Sequence, residues 1–372
     1  MGVIRSVGKR WRGFKRVLAV FLVSLHVAAL PGVCRSEEPA ARPPAGPVPV
    51  PVQGAYTGAY VDFGDGEDHV TLVAIGKFER LVGRHQAIIA SSSFWGRGSF
   101  PLENCRLIDG HGSVPLLYWS PWGPPYEQGE DVKPDAFSLA HIVAGDCNVY
   151  IDRWAVAARA FGKPLLVSFA CEPNSNWFPW AGKFNGGNRG GPEMYKRAYR
   201  YVVDRLRAAG VTNIAWVFHA NSTSHPEKAW NDMARYYPGP DYVDWLGMSA
   251  YGQIAPGDGD EDWVSWSDAM DKPYAELAAL DSSKPIMLAE FGVGEFPDSG
   301  NKAKWLQAAF AGMNSGRYPR LKAAVFWHER WQNKDESYSD LRVQSSPASL
   351  KAYAAGVANP FWLDHLPIIP AP

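Results

Sequence analysis

Two glutamates each follow an apolar stretch of the sequence. Glu172 comes directly after residues 165–171, and Glu290 comes directly after residues 286–289. A carboxylate beside a buried strand costs free energy unless it has a partner or a chemical task. A salt bridge would explain one such glutamate. Two of them favour a shared role, because paired carboxyl groups can supply acid–base and nucleophilic catalysis.

The neighbours of the two glutamates predict how that work is divided. Trp177, Phe178 and Trp180 follow Glu172 closely, and aromatic surroundings raise the pKa of a general acid by desolvation. Tyr251 could donate a hydrogen bond from its hydroxyl group to Glu290, which would favour the ionised form of that carboxyl group. We therefore expect Glu172 as acid/base and Glu290 as nucleophile of a retaining glycosidase, with carboxyl groups about 5–5.5 Å apart; a separation near ~9 Å would indicate inversion.

A repeated alternation of apolar strand and amphipathic helix would position these groups. It begins at residue 55 and predicts eight strands, at 55–62, 86–91, 114–120, 164–171, 213–219, 243–250, 284–291 and 321–328. Eight such units in one domain are typical of an α/β fold of the (β/α)8 TIM-barrel type, whose catalytic residues lie at the carboxyl ends of the strands. A doubly wound sheet is the alternative, but residues 64–68 lack the glycine spacing of its phosphate loop.

Start and stop signals predict four of the helices. Pro192 opens one that ends at Gly210, and Asp146 or Asn148 opens one that ends at Gly162. Asn301 is expected to cap a helix that ends at Gly316. The last begins at residues 346–347 and ends near Gly356.

Several motifs resemble glycoside hydrolase family 26. The segment Cys171-Glu-Pro-Asn-Ser-Asn-Trp-Phe-Pro-Trp180 is similar to the family signature His-Glu-Met-Asn-Gly-x-Trp-[Phe/Tyr]-Pro-Trp, and residues 288–292, Leu-Ala-Glu-Phe-Gly, match around the second glutamate. The resemblance covers roughly residues 53–360. It implies Glu172 as acid/base and Glu290 as nucleophile of an endo-acting enzyme, Tyr251 beside the nucleophile, and a set of sugar contacts that we expect to include Trp177, Trp327, Trp119, Asn174, Cys171 and His219.

Three positions depart from the mannanases of that family. Cys171 stands where they carry His, Ser168 where they often carry Arg, and Ser249 where Asp is common. These groups contact the sugar at the reactive site in mannanases, so a β-glucan or a bacterial exopolysaccharide competes with a β-mannan as the substrate. Beside Trp327, either His328 or Glu329 could be a polar contact of a sugar subsite, but salt bridges at the rim are the favoured interpretation.

Two other classes of protein stay open. A catalytically idle carbohydrate-binding barrel would keep the aromatic residues without turnover, although both carboxyl groups persist. A metal-dependent barrel hydrolase would need clustered His and Asp ligands at strand ends. His219, His225 and His328 form no such motif, and we expect neither a cofactor nor a metal.

The N-terminus predicts export. Residues 1–36 combine a basic start with an apolar run at 17–30, which is typical of a signal peptide; an uncleaved anchor or lipidation of Cys34 is the alternative. A Pro-rich linker (37–53) and a catalytic domain (54–372) follow. We expect a secreted or periplasmic protein, in which Cys105 and Cys147 could pair and Cys171 stays free.

Charge constrains the partners. Residues 1–36 hold seven of the 37 Lys and Arg and no acidic residue, so 30 basic and 38 acidic residues remain, a net charge of −8. An acidic protein has no electrostatic footprint for nucleic acid or an anionic membrane. We expect a polysaccharide or oligosaccharide substrate, a monomer, no nucleic-acid partner, and no integral membrane association after cleavage.

Overall fold

The structure is a computed structural model that describes residues 48–64, 66–129, 131–257, 263–333 and 335–367. The predicted signal peptide and most of the predicted linker lie outside these ranges. Among the helices of the described part, none combines the length and apolar character needed to cross a lipid bilayer.

Eight parallel strands form a closed barrel. Each strand pairs with the next in chain order, and the eighth pairs with the first over residues Tyr56–Val61 and Ala323–His328. The predicted (β/α)8 barrel is therefore confirmed, and each predicted strand overlaps one of the observed strands: β1 (Ala55–Val61), β2 (Ile88–Phe94), β3 (Val114–Ser120), β4 (Leu165–Phe169), β5 (Ile214–Asn221), β6 (Trp245–Tyr251), β7 (Ile286–Gly292) and β8 (Leu321–His328).

The strands read as continuous apolar runs because both of their faces are buried. One set of side chains fills the barrel interior, including Leu116, Leu166 and Met287. The other set packs outward against the helices, including Leu117, Val167 and Leu288. The barrel is thus a filled core, and only its rims remain for chemistry.

The helices surround the barrel and begin and end close to their predicted signals. The Asn301 side chain accepts a hydrogen bond from the backbone of Lys304, and Gly162 ends its helix in the left-handed conformation, which glycine adopts without a steric penalty. The α-helices are α1 (Leu72–Val82), α2 (Leu102–Gly110), α3 (Leu139–Ala144), α4 (Asn148–Phe161), α5 (Gly191–Ala208), α6 (Trp266–Leu280), α7 (Lys302–Asn314) and α8 (Pro347–Val357).

Three short strands were not predicted. Strands β9 (Arg330–Gln332) and β10 (Tyr338–Asp340) form a hairpin after β8, and β11 (Trp362–Leu363) pairs in parallel with β1 outside the barrel closure. Cys105, Cys147 and Cys171 are all free thiols, so the bridge that the sequence permitted between Cys105 and Cys147 is not formed.

Candidate active site

Glu172 lies just beyond the carboxyl end of β4, on a distorted piece of backbone. Its φ is 54° and that of Ala170 is 48°, a left-handed conformation that costs non-glycine residues about 1–3 kcal/mol each. Two hydrogen bonds hold this turn, from the Glu172 N–H to the His219 carbonyl (2.7 Å) and from the Trp180 indole to the Cys171 carbonyl (2.6 Å). The strained turn thereby fixes the direction of the Glu172 side chain.

Neutral donors surround the Glu172 carboxyl group. The Trp177 indole donates to Oε2 at 2.9 Å, and the Asn221 amide donates to Oε1 at 3.4 Å. Burial raises the pKa of Glu172, while hydrogen bonds from Ser249 and Trp177 act against that rise. Glu172 is only 6% exposed, so it can hold a proton above the usual pH range of a carboxylic acid.

Glu290 lies in β7, two residues before that strand ends. The Tyr251 hydroxyl donates to its Oε2 at 2.7 Å. Burial raises the pKa of Glu290 well above its ordinary value, and the nearby charge of Glu172 raises it further. The two carboxyl groups therefore interact closely, and the second of them ionises against the charge of the first.

Two of the unusual serines belong to one hydrogen-bonded chain. Ser168 Oγ lies 3.1 Å from His219 Nδ1, and His219 Nε2 lies 2.7 Å from Ser249 Oγ. All three side chains are fully buried, and burial lowers the pKa of His219 to about 3. A neutral imidazole therefore connects β4, β5 and β6 and orients Ser249, whose hydroxyl reaches Glu172.

Partly exposed aromatic rings flank the carboxyl groups. Trp177 contacts the His225 ring at a centroid distance of 5.2 Å. Trp327, at the end of β8, stacks on Tyr60 with centroids 4.0 Å apart and planes 16° apart. Flat rings held in this way are suited to stacking against sugars.

The structure corrects two of the expected sugar contacts. Trp119 is fully buried, stacks on Trp154 of α4 at 4.2 Å, and donates its indole proton to Tyr150. It therefore belongs to the layer between barrel and helices. Asn174 is also fully buried, and its amide joins the Glu172 loop to the backbone of Asn221, so it positions the loop.

The remaining two expected contacts are buried as well. His219 is fully enclosed in the serine chain described above, and Cys171 is 5% exposed. Burial raises the pKa of the Cys171 thiol, as do the charges of Glu172 and Glu290. Cys171 is thus a neutral thiol next to the carboxyl groups.

Sequence reasoning missed one acidic residue and misread another. Glu67, in the loop after β1, accepts a 2.5 Å hydrogen bond from Ser92, and its charge raises the pKa of Glu290 and of Glu329. Glu329 forms no ion pair among the described residues but accepts the Trp327 indole proton at 2.8 Å. His328 is buried and accepts a hydrogen bond from the Val343 backbone. The expected rim salt bridges are therefore wrong.

A polar run such as residues 64–69 resembles any solvated loop in sequence, so Glu67 carried no signal. Glu329 did carry one, because it directly follows a strand end, as Glu172 and Glu290 nearly do. Four carboxyl groups thus interact at the carboxyl ends of the strands, in a region that we call the groove: Glu67, Glu172, Glu290 and Glu329.

A parallel barrel with carboxyl groups at the ends of β4 and β7 holds the two acids that glycoside hydrolysis requires. Residues 144–306 of this chain match the model of glycosyl hydrolase family 26.

Two relatives are similar to this chain over more than half of its length. Endoglucanase H of Acetivibrio thermocellus is 30% identical over 292 residues, which cover 77% of this chain and 29% of that protein. Beta-1,3-xylanase TXYA of a Vibrio species is 24% identical over 252 residues, 61% of this chain and 50% of that protein. This chain thus spans half or less of either relative.

Among solved structures, a GH26 β-mannanase from Bacteroides ovatus aligns with a TM-score of 0.60 at 19% identity. The alignment covers 84% of this chain and 90% of that one. It supports the barrel fold.

Proposed function

We propose that this protein is a retaining endo-β-glycosidase that cleaves a β-glucan by double displacement. The observation that carries the proposal is the pair Glu172 and Glu290 at the ends of β4 and β7. Burial raises the pKa of both, and the charge of Glu172 raises the pKa of Glu290 further. Retaining glycosidases need one carboxyl group to protonate the leaving oxygen and a second to attack the anomeric carbon.

Burial raises the pKa of both groups, so the direction of the shift does not distinguish their roles. The roles are assigned from position and from the family motifs instead. Glu172 is the acid/base, because it follows β4 at the position of the family's acid/base and its carboxyl group, whose pKa burial raises, is held by the neutral donors Trp177 and Asn221. Glu290 is the nucleophile, and the Tyr251 hydroxyl holds its Oε2, which leaves Oε1 for the anomeric carbon. Once a glycosyl ester forms at Glu290, Glu172 takes the proton of the incoming water.

The preference for glucan rests on the three departures and on one relative. Ser168, Ser249 and Cys171 present only neutral groups where mannanases of the family carry Arg, Asp and His. The hydroxyl groups of Ser168 and Ser249 are both hydrogen-bonded to His219. The relative with 30% identity is named an endoglucanase, which supports the same direction.

The test is a reducing-sugar assay with purified protein on mixed-linkage β-glucan, curdlan, glucomannan, mannan and β-1,3-xylan. We expect release of oligosaccharides fastest from a β-glucan, with products that first appear as β-anomers in proton NMR. The Glu172→Gln/Glu290→Gln double variant is the inactive control. Faster cleavage of mannan would overturn the substrate, and α-anomers would overturn retention.

A carbohydrate-binding barrel without turnover would give a different result. It would bind these polysaccharides in affinity electrophoresis but release no reducing ends from any of them. The persistence of both carboxyl groups supports the enzyme.

We further propose that the protein acts outside the cytoplasm, as a monomer. The basic and apolar character of residues 1–36 supports export. Detection of the cleaved chain in the periplasm or medium tests the location, and light scattering of the purified protein tests the monomer.

A further inference from the structure

Three potential metal ligands meet at the opposite end of the barrel from Glu172 and Glu290. Glu79 belongs to α1, His85 precedes β2, and His111 directly follows α2 and precedes β3. Both histidines therefore lie at the amino ends of strands, whereas the glycosidase site lies at the carboxyl ends. Nothing proposed above for catalysis uses these residues.

The three side chains are in mutual contact. Glu79 Oε1 lies 2.9 Å from His85 Nδ1, and Glu79 Oε2 lies 3.0 Å from His111 Nε2. One ligand atom from each residue lies within 4.8 Å of those of the other two. The side chains are 15–22% exposed, so an ion could reach them from solvent and still be largely enclosed.

We propose that Glu79, His85 and His111 form a binding site for Zn²⁺. Imidazole nitrogens and one carboxylate are ligands that zinc prefers, with bonds of about 2.0–2.2 Å. Tetrahedral ligands at that bond length lie about 3.3 Å from one another, close to the two separations found here. A water molecule would complete the fourth position.

The hydrogen bonds of this cluster already hold the ligand atoms in position. His85 turns its Nδ1 atom toward Glu79. Glu79 Oε1 already accepts the backbone N–H of Gln86 at 2.9 Å, so His85 Nδ1 meets an oxygen that is partly satisfied. A zinc ion would replace the protons shared in these two hydrogen bonds and release them to solvent.

The position of the cluster predicts a structural role. His365 stacks on His85 with centroids 4.3 Å apart, and Arg84 forms a 3.2 Å ion pair with Asp364. This C-terminal segment follows β11, which pairs with β1. An ion at His85 would therefore fasten α1 and α2 beside the point where the end of the chain returns to its first strand.

The test uses untagged, chelator-treated protein titrated with ZnCl2 in a calorimeter. We expect one ion per chain and a Tm that rises by several degrees at saturating zinc, because binding to the native state alone stabilises it. The Glu79→Gln and His111→Ala variants should bind at least 10-fold more weakly. Co²⁺ should give the visible absorption of a tetrahedral site in wild type only.

The matched control is His141→Ala. His141 pairs with Asp146 at 2.6 Å on the exposed surface, so its loss should leave the zinc stoichiometry unchanged. Glucanase activity is measured in parallel and should be the same with and without zinc. That readout keeps the metal site and the proposed function separately testable.

Absence of zinc binding to wild type would overturn the site, and so would equal binding by wild type and His111→Ala. The Tm shift of wild type needs no variant, so it decides the question even if a substitution prevents folding.

Discussion

On one flank of the groove, Glu172 is held by neutral donors from Trp177, Asn221 and Ser249; on the other flank, Glu290 lies with Glu67 and Glu329, whose charges raise its pKa. We call these the donor flank and the acidic flank. The donor flank fixes one carboxyl group in one direction. The acidic flank instead groups carboxyl groups whose charges oppose one another, so that ionising one of them raises the pKa of its neighbour.

This difference predicts which changes act on geometry and which act on charge. Changes on the donor flank should alter the protonation and direction of Glu172. Changes on the acidic flank should alter the electrostatic potential and its dependence on pH.

The largest expected effect separates the two catalytic glutamates. Glu290→Ala should abolish turnover of every substrate, since it removes the nucleophile. Glu172→Ala should lower activity on polysaccharide by about 10²–10⁴-fold but retain the first step on aryl glycosides with acidic phenols. Proton NMR of the products formed with azide should show a β-glycosyl azide from Glu172→Ala and only an α-glycosyl azide, from a β-fluoride donor, with Glu290→Ala.

Glu103→Ala is the control for this pair, because Glu103 is an exposed glutamate on α2 and should behave as wild type. The same azide anomer from both variants would contradict the assigned roles.

The next effect compares two tryptophans of similar sequence context. Trp327→Ala should raise KM severalfold with little change in the free energy of unfolding, because Trp327 is partly exposed on the acidic flank. Trp119→Ala should leave KM unchanged and lower the free energy of unfolding by about 3–5 kcal/mol, because it empties a fully buried site. Steady-state kinetics and urea denaturation of both variants measure this. A KM effect from Trp119→Ala would return that residue to the groove.

These tryptophans also show what the sequence could predict. Apolar runs predict strands that are buried on both faces, so the barrel and its eight strands were predictable from local patterns. The helix ends at Asn301 and Gly162 were predictable from the residue types themselves. Glu172 and Glu290 were predictable because an acid after an apolar strand is costly without a role. Whether Trp119 faces the groove or the helices depends on one step of the strand alternation, and the sequence run around it is apolar on both faces.

Contacts between distant segments could not be predicted. Glu67 and Glu329 come from loops at the two ends of the barrel sequence and meet only because β8 pairs with β1. The same holds for Glu79, His85 and His111, whose spacing matches no metal motif. The serine at 168 and the serine at 249 appeared as two separate departures, and the fold shows them as two ends of one chain through His219.

That chain gives the third prediction. His219→Ala removes both hydrogen bonds and leaves two buried hydroxyl groups unpaired, which should lower the free energy of unfolding by about 1–3 kcal/mol. It should also lower kcat more than it changes KM, because Ser249 loses its orientation toward Glu172.

His219→Gln, which can still donate and accept, should recover part of kcat. Because burial lowers the pKa of His219 to about 3, the wild-type pH profile above that value should contain no His219 transition. Equal kcat in wild type and His219→Ala would show that the chain is only structural.

The smallest expected effect tests the charge of the acidic flank. Burial and the charge of Glu67 raise the pKa of Glu329 to about 8. In the unfolded chain this group ionises near its ordinary value of 4.5, so between pH 4.5 and 8 the native state binds more protons and the free energy of unfolding falls as pH rises.

Glu329→Gln removes this proton uptake. Thermal melts at pH 5 and pH 8 should therefore show a smaller decrease in Tm for Glu329→Gln than for wild type. The difference should be about 1 kcal/mol. The linkage of one fully shifted group would be larger, at ~1.4 kcal/mol for every pKa unit, but Glu67 shares this proton. Glu103→Gln, at an exposed position, should keep the wild-type slope. If Glu329→Gln also kept that slope, Glu329 would be ionised throughout this range, and the acidic flank would carry more negative charge at neutral pH than the burial of its carboxyl groups predicts.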